Sequence, residues 1–281
     1  MPHFSSWRAY DEFASAVRKE RRFGHNPACI RFLDAVKASA RDRLVRLRRG
    51  HPLWRAQLGH DWAREPAYPE APEDDFIEVE APFAVERMSP DPAHVKEGRL
   101  NPRGIAFLYV TRRVETAIAE VRPWVGAKVS VGVFEVLQDS LLVNCSQPGG
   151  RGLYLAFNAD GTFAQPDPLE WDKLVWEAIS FAFAQPTDPN DSALIYAPTQ
   201  ILAEVLREEG HDGVLYQSAL HSEGINVALF DPSRARLFAC GLHSIDAVEY
   251  RSEHTHRGYD LVRETTTPPP DESPRELAAP G

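Results

Sequence analysis

The chain predicts a mixed α+β domain, and three observations lead there. Short apolar segments with strand-like alternation recur along it, at residues 128–136, 213–216 and 226–230. Segments of helical period lie between them, at 114–121, 169–184 and 199–209. The two kinds do not follow one another with the regular period of a doubly wound sheet, so the expected core is a mixed sheet with flanking helices.

Residues 5–50 predict a helical pair ahead of this core. Ser5 or Ser6 caps the first helix, which carries Trp7, Tyr10, Phe13 and Val17 on one face. Asn26 and Pro27 open the second as cap and first helical residue. Ile30, Leu33, Val36, Leu44 and Leu47 line its apolar face, and Gly50 ends it. The segment is rich in arginine (Arg18, Arg41, Arg43 and Arg46 among others) while the rest of the chain is acidic. That pattern reads as a solvated helical face on an acidic body, with a partner-binding surface as the sharper alternative.

Beyond residue 50 the pattern turns to short strands. Residues 52–56 form the first, and the polar, proline-rich, acidic stretch 63–83 reads as a loop. A strand at 105–110 leads into the helix 114–121, which ends before Pro123. Strands at 128–136 and 141–144, a turn at 147–150, the helix 169–184 and a polar loop at 186–192 come next. The helix 199–209 stops at Gly210, and strands 213–216 and 226–230 follow it, with further strands at 236–240 and 247–250. The expected organisation is an N-terminal helical extension (1–50), a main domain (51–250) and a disordered tail (264–281).

Composition narrows the function. Of 281 residues, 43% are hydrophobic and 26% charged, as in an ordinary globular protein. A net charge of -10 argues against general nucleic-acid binding. Neither a signal peptide nor an apolar run of membrane-spanning length is visible, so a cytoplasmic protein without membrane attachment is expected. Cys29, Cys145 and Cys240 are odd in number and widely spaced, which fits a reducing compartment. Cys240 and His243 with His254 and His256 match no zinc spacing, so no metal is expected. Gly149, Gly150 and Gly152 lack the lysine and helix of a phosphate-binding loop.

Residues 98–120 concentrate the chemistry. Arg99 sits in a glycine-flanked turn, Gly98-Arg99-Leu100-Asn101-Pro102-Arg103-Gly104, and Arg55 lies within an apolar strand. Two guanidinium groups hold a diphosphate by forked hydrogen bonds, which lysine does not reproduce. Arg103 reads as plain surface. Tyr109 ends a strand and offers a ring to a flat base. Glu120, near the boundary of the inward helix face, is placed to steady a developing positive charge. Ser218 follows a strand without a nucleophile elbow, so it reads as a hydrogen-bonding group for phosphate and not as an acyl nucleophile. Asn226 reads as structural. These are the needs of an enzyme that breaks a nicotinamide–ribose bond.

Trp54-Arg55-Ala56, the 98–104 turn, Leu108-Tyr109, Ala119-Glu120, Thr199-Gln200-Ile201-Leu202-Ala203-Glu204, Gly213-Val214-Leu215-Tyr216-Gln217-Ser218 and Asn226-Val227-Ala228-Leu229-Phe230, in that order, resemble the RES-domain family over roughly residues 50–240. The resemblance implies an ADP-ribosyltransferase-like fold and a site for NAD as substrate, with phosphate a candidate co-substrate. It matches Arg55 and Arg99 to the family arginines, Tyr109 to its tyrosine, Glu120 to its glutamate and Ser218 to its serine. Arg55, Arg99, Tyr109 and Ser218 would then bind NAD, and Arg55, Glu120 and Ser218 would carry catalysis. Many members carry tryptophan where this chain has Leu100, which removes an aromatic surface. Many members of the family are NAD-degrading toxins of toxin–antitoxin pairs, whose antitoxins usually carry a helix-turn-helix domain. The implied activity is NAD phosphorylase or glycohydrolase, with protein mono-ADP-ribosyl transfer as the alternative. A non-catalytic interaction protein working through the basic N-terminal helices is a third reading. A homodimer built on those helices is a candidate assembly.

Overall fold

Alternating apolar residues at 128–136 become a nine-residue strand, β6 (Lys128–Val136), on which half of the sheet is built. In the computed structural model, which describes residues 2–20, 26–72, 74–91, 93–146, 165–185, 192–250 and 252, β6 pairs antiparallel with β2 (Pro52–Leu58) and β10 (Ala235–Ser244). The other half comprises β1 (Leu44–Leu47), β7 (Ser140–Asn144), β8 (Gly213–Gln217), β9 (Ile225–Leu229) and β5 (Leu108–Thr111). The order across both halves is β1-β7-β8-β9-β5-β2-β6-β10, and among the described strands only β7 and β8 run parallel. The halves meet at one residue pair, Trp54 with Thr111. Elsewhere along β2 and β5 the ladder is open, and this gap positions the site.

Four helices cover the β1–β5 half: α1 (Ala9–Lys19), α2 (Pro27–Ala40), α5 (Trp171–Ala184) and α6 (Ser192–Glu208). Phe13 and Phe32 stack with centroids 4.6 Å apart, in one buried cluster with Val36, Trp176, Phe183 and Leu202. Trp176 Nε1 donates to Ser39 Oγ at 3.2 Å, and Arg43 lies 4.7 Å above the Trp176 ring. A second cluster joins Leu108, Val110, Leu215 and Val227 of one half-sheet to Leu53, Phe134 and Val136 of the other. The short helix α4 (Val114–Glu120) packs with Trp54 and Ala56 against Val129 and Val131. A one-turn helix, α3 (Val85–Met88), precedes the 98–104 turn.

Most expected elements form, with four corrections. Leu44 and Leu47 do not extend α2: a short 3-10 turn at Arg41–Arg43 ends the helical run, and β1 pairs Leu44 with Val143. Four residues carry too little period to choose a helix over a strand, and the open edge of β7 decides it. The N-terminal segment, expected as an extension, therefore supplies an edge strand and shares the main core. The stretch expected as a loop at 63–83 holds a hairpin, β3 (Asp61–Pro66) with β4 (Phe76–Ala81). Ile77, Val79 and Ala81 alternate with Glu78 and Glu80 there, a signal masked by Pro66, Pro69 and Pro72. The strand expected at 247–250 is absent, because β10 ends opposite Lys128, where β6 begins and pairing stops. Helix α6 starts at Ser192 and carries Pro198 inside it, ahead of the start expected at 199.

Asn26 caps α2 as expected, accepting from Cys29 N at 2.9 Å. Ser6 acts just before α1, with Oγ accepting from Arg8 N and its carbonyl from Ala9 N. Gly210 follows α6 at φ +85°, a left-handed stop. The chain divides into units 1–248 and 249–281. Of the second, Glu249, Tyr250 and Ser252 are described, and they lie outside helix and strand. The expected turn at 147–150, all but one residue of the loop at 186–192, and the tail at 264–281 fall outside the described residues.

Candidate active site

A cleft of about 350 Å³ opens where the half-sheets part. Trp54, Arg55 and Ala56 of β2 and Tyr109, Val110 and Thr111 of β5 form its two strand walls. Glu120 comes from the end of α4, Asn226 from β9, Tyr216 from β8, Tyr196 from α6, and Gly98 and Arg99 from the turn before β5. Four of the five expected site residues, Arg55, Arg99, Tyr109 and Glu120, thus meet in one cavity of small-molecule size.

Glu120 is held from behind. Ser218 Oγ donates to Glu120 Oε1 at 2.7 Å, and Asn226 Nδ2 donates to the same oxygen at 2.7 Å. Oε2 is engaged by neither. Ser218 is itself fixed, since Oγ accepts from Leu220 N at 3.1 Å and His221 N at 3.2 Å. A hydroxyl has one proton and two lone pairs, so these three bonds use all it has. Ser218 has no donor left for a phosphate, and it does not line the cleft. The hydroxyl expected to meet phosphate is bonded in this structure to Glu120 and to its own loop. The loop that delivers Ser218 needs glycine at 224: a Cβ there would stand 2.6 Å from Thr116 Cγ2 and 2.9 Å from Ser218 Cβ.

Arg55 shows the opposite condition. Its Nη1 is buried and has no hydrogen-bond partner among the described residues. Burial alone holds its pKa below the usual guanidinium value. A guanidinium stays charged nonetheless, so a donor stands desolvated beside the cavity, waiting for an acceptor. Arg99 is anchored instead: Nη1 donates to the Phe183 carbonyl at 3.1 Å, and Thr199 Oγ1 donates to the Arg99 carbonyl at 2.5 Å. Arg103 is exposed and outside the cleft.

The 98–104 turn is tied by its own polar groups. Tyr109 Oη donates to Asn101 Oδ1 at 2.6 Å and accepts from Leu100 N at 3.2 Å. Gln200 Nε2 donates to the Gly98 carbonyl at 2.9 Å and the Asn101 carbonyl at 3.1 Å. Gly98 serves this packing, because a Cβ would lie 2.6 Å from Asn101 Oδ1 and 2.9 Å from Tyr109 Oη. The Tyr109 hydroxyl is thus committed to the turn, and its ring is what it offers the cleft. Burial drives the Tyr109 phenol well above its usual pKa, and does the same for Tyr216, so both rings stay neutral. Leu100 is fully buried in the helix-side core. Leu100 does not line the cleft, and the aromatic surface there comes from Trp54, Tyr109, Tyr196 and Tyr216.

Asn226, Tyr196 and Tyr216 had no part in the site read from sequence. Asn226 carried one legible signal, a lone polar residue among the apolar residues of its strand. Tyr196 carried none, lying ahead of the expected helix start.

The model of the RES domain matches residues 52–251 of the chain. No curated protein matches it. Among solved structures, one that it resembles is a chain in the crystal structure of the M. tuberculosis MbcT-MbcA toxin-antitoxin complex. Identity there is 12% and the TM-score 0.39, covering 74% of this chain and 92% of that one. With the family model spanning well over half of its length, the chain belongs to the RES-domain family.

Proposed function

We propose that the protein consumes NAD by breaking the bond between nicotinamide and ribose. The observation that carries this reading is a carboxylate, Glu120, gripped through one oxygen by Ser218 and Asn226 in the same cleft as the unpartnered Arg55 guanidinium. In this reading Arg55 and Arg99 take the pyrophosphate, and the Tyr109 ring frames the nicotinamide end. Glu120 accepts the ribose 2'-hydroxyl and steadies the oxocarbenium-like transition state as the base leaves with the bonding electrons. Ser218 acts through Glu120: fixing Oε1 in advance means that little reorganisation is needed as positive charge grows. Water or phosphate then attacks the anomeric carbon. The family membership supports a further step, that the chain is the toxin of a toxin–antitoxin pair whose partner carries a helix-turn-helix domain.

Proton NMR of NAD with purified protein, in phosphate and in phosphate-free buffer, tests the chemistry. Nicotinamide released only with phosphate means a phosphorylase, and release in both buffers means a hydrolase or a transferase. Glu120→Ala is expected to cut the rate by about 10²–10³-fold, the scale of losing one preorganised electrostatic group. Intact NAD in both buffers from folded, unliganded protein refutes the proposal. For the toxin role, the expected outcome is growth arrest on expression that Glu120→Ala relieves; arrest unchanged by that substitution separates toxicity from this site.

A further inference from the structure

Asn226 is 3% exposed and lines the cleft, yet only one end of its amide is satisfied. Nδ2 donates to Glu120 Oε1. Oδ1 is buried and has no hydrogen-bond donor among the described residues. The orientation of the amide is fixed by chemistry, because a carboxylate can only accept, so the NH₂ end must face Glu120 and the oxygen must point elsewhere. A buried acceptor without a donor is costly, and such groups persist at functional sites where a ligand completes them.

We infer that Asn226 is a substrate-recognition residue whose Oδ1 accepts a hydrogen bond from a hydroxyl of the ribose that carries the leaving base. The inference rests on the NAD reading and deepens it. Glu120 and Asn226 are bonded neighbours, so two acceptors stand side by side. Neighbouring hydroxyls on one ring are the matching donors. With Glu120 on the 2'-hydroxyl, Asn226 takes the 3'-hydroxyl. The cleft then holds complementary orphans, a guanidinium donor at Arg55 for the anionic part of the substrate and an amide acceptor at Asn226 for its sugar. Ser218 grips the same carboxylate oxygen but faces no ligand, which separates positioning from recognition.

The test compares NAD with an analogue lacking the 3'-hydroxyl on the nicotinamide ribose, for wild type, Asn226→Ala and Ser218→Ala, with kcat and KM measured separately. Wild type is expected to lose at least tenfold in kcat/KM on the analogue, because an unpaired buried acceptor is left behind. Asn226→Ala should be slow on both substrates and discriminate less than threefold. Ser218→Ala should be slow but keep the wild-type discrimination. Equal use of both substrates by wild type overturns the inference without any variant, even if Asn226→Ala fails to fold. Discrimination that persists in Asn226→Ala overturns it as well. If wild type releases no nicotinamide from NAD at all, the NAD reading falls and takes this inference with it, a result distinct from turnover without discrimination.

Discussion

Replacing Arg55 with methionine is expected to make the unliganded protein more stable and unable to hold its ligand. The substitution keeps the length and much of the volume of the side chain and removes a desolvated charge. Nη1 is buried without a partner, and an unsatisfied buried donor costs about 1–3 kcal/mol, more when charged. Removing it returns that amount to the native state. For a body of this size, 1 kcal/mol moves Tm by about 2–4 °C, so a rise of roughly 2–12 °C is expected in the absence of ligand. Binding moves the other way. A charge-assisted hydrogen bond to phosphate is worth about 1.5–3 kcal/mol, a loss of roughly 10–150-fold in affinity. Differential scanning calorimetry with and without ADP-ribose reads both effects at once. Wild type should gain Tm with ligand, and Arg55→Met should start higher and gain little. A fall of several degrees in the unliganded variant would mean that the guanidinium serves the fold, and an unchanged ligand-induced gain would mean that Arg55 does not hold the anion.

Gly224→Ala should lower kcat more than it raises KM, since the added Cβ would press on Thr116 and Ser218 and shift the group that fixes Glu120; steady-state kinetics with NAD check this, and unchanged kcat would detach Ser218 from catalysis. Stability should fall as pH drops from about 7 toward 5. Burial holds the pKa values of His51 and His211 below the usual imidazole value, with Arg112 adding to the effect at His51. The unfolded chain therefore takes up protons first, the native advantage is present above about 6.5 and is lost as pH falls through the folded values, and His51→Asn with His211→Asn should flatten Tm against pH across that window. Cys145 is buried, which pushes its thiol up to about 12. At pH 8 in native protein, iodoacetamide should label Cys240 fastest and Cys145 only after unfolding, as peptide mass spectrometry reads; early labelling of Cys145 would contradict its burial.

Legibility followed the range of the signal. Asn26-Pro27 opening α2 and Gly210 closing α6 are local devices that work within a turn of their own position. The alternation at 128–136 fixed β6 to the residue, because a strand paired on both sides must match its pattern over nine positions. Leu44 and Leu47 were misread because four residues fit either period, and their choice is made by β7, nearly a hundred residues away. The β3–β4 hairpin is hidden by prolines that cluster at its turn and outweigh the alternation of β4. In the candidate site, Arg55, Arg99, Tyr109 and Glu120 stand out in the sequence by residue type and motif, and the fold brings them to one cleft. The direction of a hydroxyl proton is not legible in the sequence. Whether Ser218 faces substrate or Glu120 depends on a loop closing 98 residues from its partner in sequence, and no local pattern carries that.

The division between satisfied and unsatisfied groups follows from what each must do. In the proposed mechanism, a carboxylate that steadies a transient cation gains from being fixed before the charge appears, and Ser218 and Asn226 both hold one oxygen of Glu120. A group that binds a ligand gains nothing from a partner inside the protein, since that bond would have to break first. Arg55 Nη1 and Asn226 Oδ1 lack one. The open ladder between β2 and β5 makes both conditions available in one cavity. Where strands pair fully, side chains pack against their neighbours; where Trp54 and Thr111 are the sole pair, Arg55 and Tyr109 border a gap. β9 lies one strand further from that gap, beside β5, and brings Asn226 opposite Thr111. Asn226 thus meets Glu120 through Nδ2 and lines the cleft, and its Oδ1 is buried. Among the described residues, the weak seam between β2 and β5 is thus bordered by buried polar atoms that have no partner within the chain, as the proposed ligand site requires.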